Sequence, residues 1–249
     1  MRPDAWPRAR AAADRALRLD PMLAEGYSAL GDVKFYYEWD WEGAEKAFQR
    51  SNELNPNMAI NHYHYAWLLA VLGRMDEAIV EHKRAQELDP LTPLHTVWLG
   101  GLYWIRGDND KAIEEIQKVL ERDPNDRLAL FLLANVFADM GKHEEAVETH
   151  EKIVGLWWSL ARVYAVVGRE DEAREIIAKL QEKPDPLRAF GIAMVYAQLG
   201  EIDKAFQWLA YEPPHAWKPG FRILPWFYPL RDDPRFDALL RKMNLPPLE

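Results

Sequence analysis

Apolar residues recur along this chain at steps of three and four, as in Tyr63, Trp67 and Ala70 and again in Val97, Gly101 and Trp104. That spacing lays one stripe along an α-helix. Two regular beats interrupt the stripes. Leu19-Asp20-Pro21, Leu54-Asn55-Pro56, Leu88-Asp89-Pro90 and Arg122-Asp123-Pro124 place prolines at steps of 35, 34 and 34 residues, and Gly73, Gly107 and Gly141 keep steps of 34 before continuing at Gly168 and Gly200. Proline breaks a helix and glycine suits a tight reversal, so the prolines fall between helix pairs and the glycines within them. The pattern predicts first helices over 24–37, 59–72, 93–106, 127–140, 155–167 and 186–199, and second helices over 41–54, 75–88, 109–122, 143–154, 170–181 and 202–211. Ala44, Ala78, Ala112, Ala146, Ala173 and Ala205 stand near the start of each second helix, where a small side chain lets paired helices approach.

Composition narrows the chemistry. The 249 residues include no Cys, which removes thiolate catalysis, disulfides and sulfur-ligated metal sites. With 31 Lys+Arg against 40 Asp+Glu the net charge is -9, a poor match for a phosphate backbone, so nucleic acid is not an expected partner. No apolar run is long enough for a membrane span and the first residues lack a secretory core, so the expected setting is cytoplasmic.

The motifs resemble the tetratricopeptide repeat, a helix-turn-helix unit of 34 residues. One unit supplies Leu99, Gly100, Tyr103, Gly107, Ala112, Ile116, Val119 and Pro124; the preceding one supplies Tyr65, Ala66, Leu69, Gly73, Ala78, His82, Ala85 and Pro90. Tyr27, Leu30, Gly31, Ala44, Phe48 and Pro56 match with one inserted residue, and Leu130, Leu133, Ala134, Phe137, Gly141 and Ala146 continue the series. The resemblance implies an all-α, right-handed superhelical solenoid of antiparallel helix hairpins. It covers residues 8–211: a half-repeat helix within 1–22, then about six hairpins over 23–211. The step from Gly141 to Gly168 is 27 residues, seven fewer than 34, which predicts a shortened unit or an omitted loop near Gly155. Residues 212–249 abandon the period and read as an irregular cap rich in proline and aromatics.

Three stretches carry a narrower resemblance: Tyr37-Glu38-Trp39-Asp40-Trp41-Glu42-Gly43-Ala44, Tyr65-Ala66-Trp67-Leu68-Leu69-Ala70 and Pro229-Leu230-Arg231-Asp232-Asp233-Pro234-Arg235-Phe236. They are similar to repeat modules at the C-terminal end of bacterial winged-helix transcriptional activators, serine/threonine kinases and class III adenylate cyclases. That resemblance implies a sensory or interaction module cut from a longer protein, with no output domain of its own and no catalytic role.

In the family register the inward positions of the first helices include Phe35, Tyr63, Trp67, Trp104, Phe131, Asn135, Trp158, Arg162 and Phe190. So many aromatics on one stripe could form a groove for an extended or helical peptide. They could instead be inter-repeat core or enclose a small molecule. Asn135 could bond a peptide backbone or a neighbouring helix; Arg162 could meet a ligand carboxylate or an acidic residue of this chain. The Trp39-Asp40-Trp41 run sits at the inserted residue and is expected to pin that turn. Trp217, Phe221, Trp226, Phe227 and Tyr228 are expected to cap the last repeat, with a lid folded into the groove or a dimer edge as the alternatives.

The seven His residues show no metal-binding spacing; His82 and His150 occupy packing positions, and no cofactor or metal is expected. Asp76-Glu77, Glu144-Glu145 and Asp171-Glu172 open second helices, where negative charge suits the exposed N–H groups. Without two converging poised groups, the expected role is binding of a protein or peptide partner rather than catalysis, with assembly of like chains as an alternative.

Overall fold

The computed structural model describes residues 5–153, 155, 157–211 and 218–247, and every regular element among them is helical. They form two compact units, one of residues up to His95 joined by the run from Leu239, the other Thr96–Ala238. The first contains α1 (Ala5–Leu19), α2 (Ala24–Val33), α3 (Trp41–Leu54), α4 (Ala59–Val71) and α5 (Met75–Leu88). Helix α6 (Pro93–Arg106) leads into the second unit, which contains α7 (Asn109–Leu120), α8 (Arg127–Asp139), α9 (His143–Glu151), α10 (Trp157–Val166), α11 (Glu170–Gln181), α12 (Pro186–Gln198) and α13 (Ile202–Leu209). Two 3-10 turns, Lys218–Arg222 and Pro225–Leu230, precede α14 (Pro234–Lys242).

Each beat in the sequence has a local cause. Gly73, Gly107, Gly141, Gly168 and Gly200 all have φ between 73° and 91°, the left-handed region that side chains disfavour. The next residue's N–H then reaches back to a carbonyl five residues earlier, as from Arg74 to Leu69 at 2.9 Å and from Arg169 to Tyr164 at 2.8 Å. That bond satisfies an orphan carbonyl at the helix end and reverses the chain within one residue. The Asp/Asn-Pro beat works between hairpins. Asn55 and Asp89 are held extended, as the residue before proline must be, and their side chains accept from Asn57 N at 3.1 Å and Thr92 N at 3.2 Å.

Helix pairs close on small residues. Ala44, Ala78, Ala112, Ala146, Ala173 and Ala205 are all fully buried. At Gly31 a Cβ would lie 2.5 Å from the Phe48 ring, so glycine is what lets α2 and α3 meet there. The N-termini are capped by Asp126, which accepts from Ala129 N at 2.8 Å, and by Asp185, which accepts from Arg188 N at 2.9 Å ahead of Pro186. The acidic pairs fall in the first turns of α5, α9 and α11 as expected from the positive end of the helix dipole.

Two places depart from the regular hairpin. The helix expected over 24–37 is α-helical only to Val33; Lys34–Glu38 widens into a π-turn, which absorbs the inserted residue. Trp39 then takes the left-handed position, with φ 52°, that glycine fills in later hairpins. Asp40 caps α3 by accepting from Gly43 N at 3.0 Å, and the Trp41 indole N–H donates to Met243 O at 2.8 Å. Helices α9 and α10, on either side of the irregular spacing, have 9 and 10 residues against 14 for α5 and 13 for α8. Helix α9 ends at Glu151, short of the expected 154, yet Ala134, Ala138, Ala146 and Val163 still pack as one apolar cluster. Among the described residues, no helix is long and apolar enough to cross a membrane.

Candidate functional site

In the second unit the inward positions of successive first helices come together. Trp104 on α6, Phe131 on α8 and Trp158 on α10 are buried, and the Phe131 and Trp158 rings meet edge to face with centroids 5.6 Å apart. Trp158 can reach this position because α12 carries Gly191 beneath it; a Cβ there would fall 2.6 Å from the Trp158 Cβ.

Beneath the rings lies a polar floor. Arg162, 1% exposed, donates through Nη1 to Asn135 Oδ1 at 2.7 Å and through Nη2 to Asp139 Oδ1. The Trp104 indole donates to the other oxygen of Asp139 at 2.9 Å, and Asn135 Nδ2 donates to Phe131 O at 2.7 Å. A charge this deep is tolerated only when paired and hydrogen-bonded. The sequence leaves Asn135 and Arg162 open between a ligand and a partner within the chain; the structure gives each a partner within the chain, and Asp139 is the acidic one.

The enclosure is filled by Trp226. Its ring lies 5.9 Å from Trp104, 6.0 Å from Phe131 and 6.3 Å from Trp158 between centroids, and its indole N–H donates to Asn135 Oδ1 at 3.2 Å. Gln198 Nε2 holds the Trp226 carbonyl at 2.7 Å. Phe227 packs on Phe190 of α12 at 5.1 Å and on Phe221 at the same distance, and Phe221 packs on Phe236 at 4.3 Å. The aromatic C-terminal segment thus lies against α12, as a cap would, and also enters the face of α6, α8 and α10, as a lid would. Trp217 lies outside the described residues. Sequence reasoning did not single out Asp139, Gln198 or Gly191; Asp139 was within reach, since it stands four residues after Asn135 on the same helix face.

The first unit treats the same positions differently. Phe35 is buried against Trp41, with ring centroids 5.9 Å apart. Tyr63 and Trp67 on α4 are only half-buried. The Tyr63 hydroxyl is pushed up to about 12 by burial, against the pull of its hydrogen bond from Trp67 and with a small contribution from Asp32. Its ring lies 5.1 Å from His64, 5.3 Å from His82 and 5.7 Å from His95. His82 is fully buried, bonds to His95 O at 3.0 Å and is depressed to about 3 by burial and by His95. His150 in the second unit is likewise buried and depressed to about 4. Among the described residues, no three His, Asp or Glu side chains are grouped to hold a metal ion.

Comparison with known proteins accords with this architecture. The tetratricopeptide-repeat model matches residues 35–93, 83–127 and 99–159, and a second model of the same repeat matches 154–179. No curated protein matches the chain. Among solved structures, the Cut9-Hcn1 hetero-tetramer of the APC/C superposes with a TM-score of 0.65 at 19% identity, covering 96% of this chain and 46% of that one. PilW, a type IV pilus biogenesis factor, gives 0.61 at 20% identity over 74% of this chain and 88% of its own. PilF of Pseudomonas aeruginosa gives 0.56 at 20% identity, over 74% and 86%. At such identities the likeness is one of fold.

Proposed function

This chain belongs to the tetratricopeptide-repeat family, and from that premise we propose that it is a non-catalytic scaffold whose first-helix aromatics bind a protein or peptide partner. In this reading it is the interaction or sensory module of a bacterial signalling or regulatory protein of the cytoplasm. The observation that carries it is the seating of Pro225–Leu230 on the aromatic face of the second unit. That face accommodates a short turn of chain, holding it by the buried Trp226 and Phe227 rings, the Trp226 N–H bond to Asn135 and the Gln198 bond to a backbone carbonyl. Few anchors in desolvated pockets are how peptide-binding surfaces concentrate their affinity. On α4 the half-buried Tyr63 and Trp67 present the same residue types with part of their surface still open to a partner.

The test is a display selection for peptides that bind the chain, followed by titration calorimetry of the selected peptides against intact protein and against Trp67→Ala and Trp104→Phe. With helicity and melting temperature monitored, at least one substitution should weaken binding by about tenfold or more, the scale of an anchor aromatic. Unchanged affinity for both variants would remove the aromatic face from the reading.

A further inference from the structure

We propose that the face formed by α6, α8 and α10 is a tryptophan-recognition site, and that its partner is a peptide presenting tryptophan followed by a second aromatic on a proline-bounded turn. The chain's own Pro225–Leu230 then acts as a competing occupant in cis. This inference rests on the peptide-binding reading and names the ligand.

The chemistry comes from the occupant already in place. Within the turn Trp226, Phe227 and Leu230 are buried while Tyr228 and Pro229 are exposed, so three apolar side chains at i, i+1 and i+4 carry the contact and the Tyr228 hydroxyl adds a bond to Ile105 O of α6 at 3.4 Å. Proline at both 225 and 229 preorganises the turn and lowers the entropy lost on docking. The pocket selects an indole because three rings surround it and Asn135 Oδ1 accepts its N–H. Phenylalanine in its place would lack a donor for that oxygen.

The occupant can leave without stranding the acceptors of the floor. Asn135 Oδ1 retains Arg162 Nη1 at 2.7 Å, a shorter bond than the 3.2 Å to Trp226, and Asp139 retains both Arg162 and the Trp104 indole. Gln198 is half-buried, so water can replace the carbonyl it loses. What departure exposes is apolar: Trp104, Phe131 and Trp158, at 2%, 2% and 7% exposure while covered. A partner ring of the same shape covers that surface again, whereas a generic polar peptide does not. A floor whose Asn135 and Asp139 acceptors stay paired without the indole, beneath rings that require one, is the arrangement of a site with exchangeable occupants.

The probe is a fluorescein-labelled, end-blocked peptide of residues 223–230, titrated by anisotropy against the intact chain and Trp226→Ala. A cis occupant lowers apparent affinity in proportion to the open fraction, so the variant is expected to bind about tenfold more tightly or better. The same peptide with alanine for its tryptophan should bind neither protein. Because Trp226→Ala removes a buried ring, its helicity and cooperative melting are checked. The intact chain supplies an independent readout: excess peptide should speed amide hydrogen exchange in Lys218–Leu230, and the alanine peptide should not.

Tryptophan-independent binding, or unaltered exchange at saturating peptide, overturns the proposal. So does a concentration-dependent dimer that the peptide dissolves, since the site would then serve a second copy of this chain. Should display-selected peptides bind while the tryptophan peptide does not, the scaffold reading stands and the tryptophan site falls; if neither binds, both fall.

Discussion

The first-helix faces of α4 and of α6, α8 and α10 begin from the same family positions and end in different physical states. On α4, Tyr63 and Trp67 remain half-buried beside three histidines. On α6, α8 and α10 the aromatics are buried around Trp226 over a paired Arg162. Repeat position alone therefore does not decide whether an aromatic is surface or core. What decides it is whether a distant stretch of the chain supplies a ring of the right shape, and whether the polar groups beneath are already paired.

The sharpest way to break this contrast is Arg162→Met. It leaves the Asp139 carboxylate without its cation and Asn135 Oδ1 without its shortest donor, and removing one partner of a buried pair costs about 3–5 kcal/mol. Urea unfolding followed by circular dichroism should show the midpoint falling sharply; a loss below about 1 kcal/mol would mean that the floor does not hold the second face together.

Next is Gly191→Ala, which forces a Cβ to within 2.6 Å of the Trp158 Cβ. Overpacking of this kind costs roughly 1–3 kcal/mol. The displaced Trp158 should also disturb Trp226, visible as a change in tryptophan emission in the folded protein. A stable variant with native emission would show that α10 and α12 have slack at this contact.

The α4 face should reveal itself through pH. An unfolded imidazole takes up a proton near pH 6.5, whereas folded His82 resists until about 3, and His95 is also depressed, first by burial. Stability present above about pH 6.5 is therefore lost as pH falls below it, by up to about 1.4 kcal/mol per pH unit for each such histidine. His82→Gln should flatten the dependence of unfolding free energy on pH between about 6 and 4.5; an identical slope would show that His82 is not its source. His150 adds the same sign of dependence to the second unit.

The smallest effect is expected at the partly exposed His64 and Asp32 pair, 2.5 Å apart beside Tyr63. His64→Gln should change the melting free energy by less than about 1 kcal/mol, and a larger loss would mean that the α4 face is as tightly organised as its counterpart.

Much of the fold was legible because its rules are local. Asn55 and Asp89 before prolines and the left-handed glycines each act within a few residues, the buried alanines act within one helix pair, and the second helices α3, α5 and α11 span the residues expected of them. The inserted residue was visible as a spacing error, but not that a π-turn ending at a left-handed Trp39 would absorb it. At the candidate site, periodicity singled out Trp104, Phe131, Asn135, Trp158 and Arg162 as sharing a face. It did not reach Trp226, which the C-terminal run offered only as one of five aromatics in a cap, lid or dimer edge and which is 91 residues from the Asn135 it bonds.

By itself, then, the sequence determined helix placement, turn chemistry and the stripe on which the aromatics would stand, all set by backbone sterics and short-range hydrogen bonding. Only the tertiary structure decided which aromatic fills the enclosure. Trp226 is one of 11 tryptophans, and hydrophobicity does not distinguish among them. Selection came from a long-range fit of three rings, one acceptor at Asn135 and one donor at Gln198, which no interval along the chain encodes.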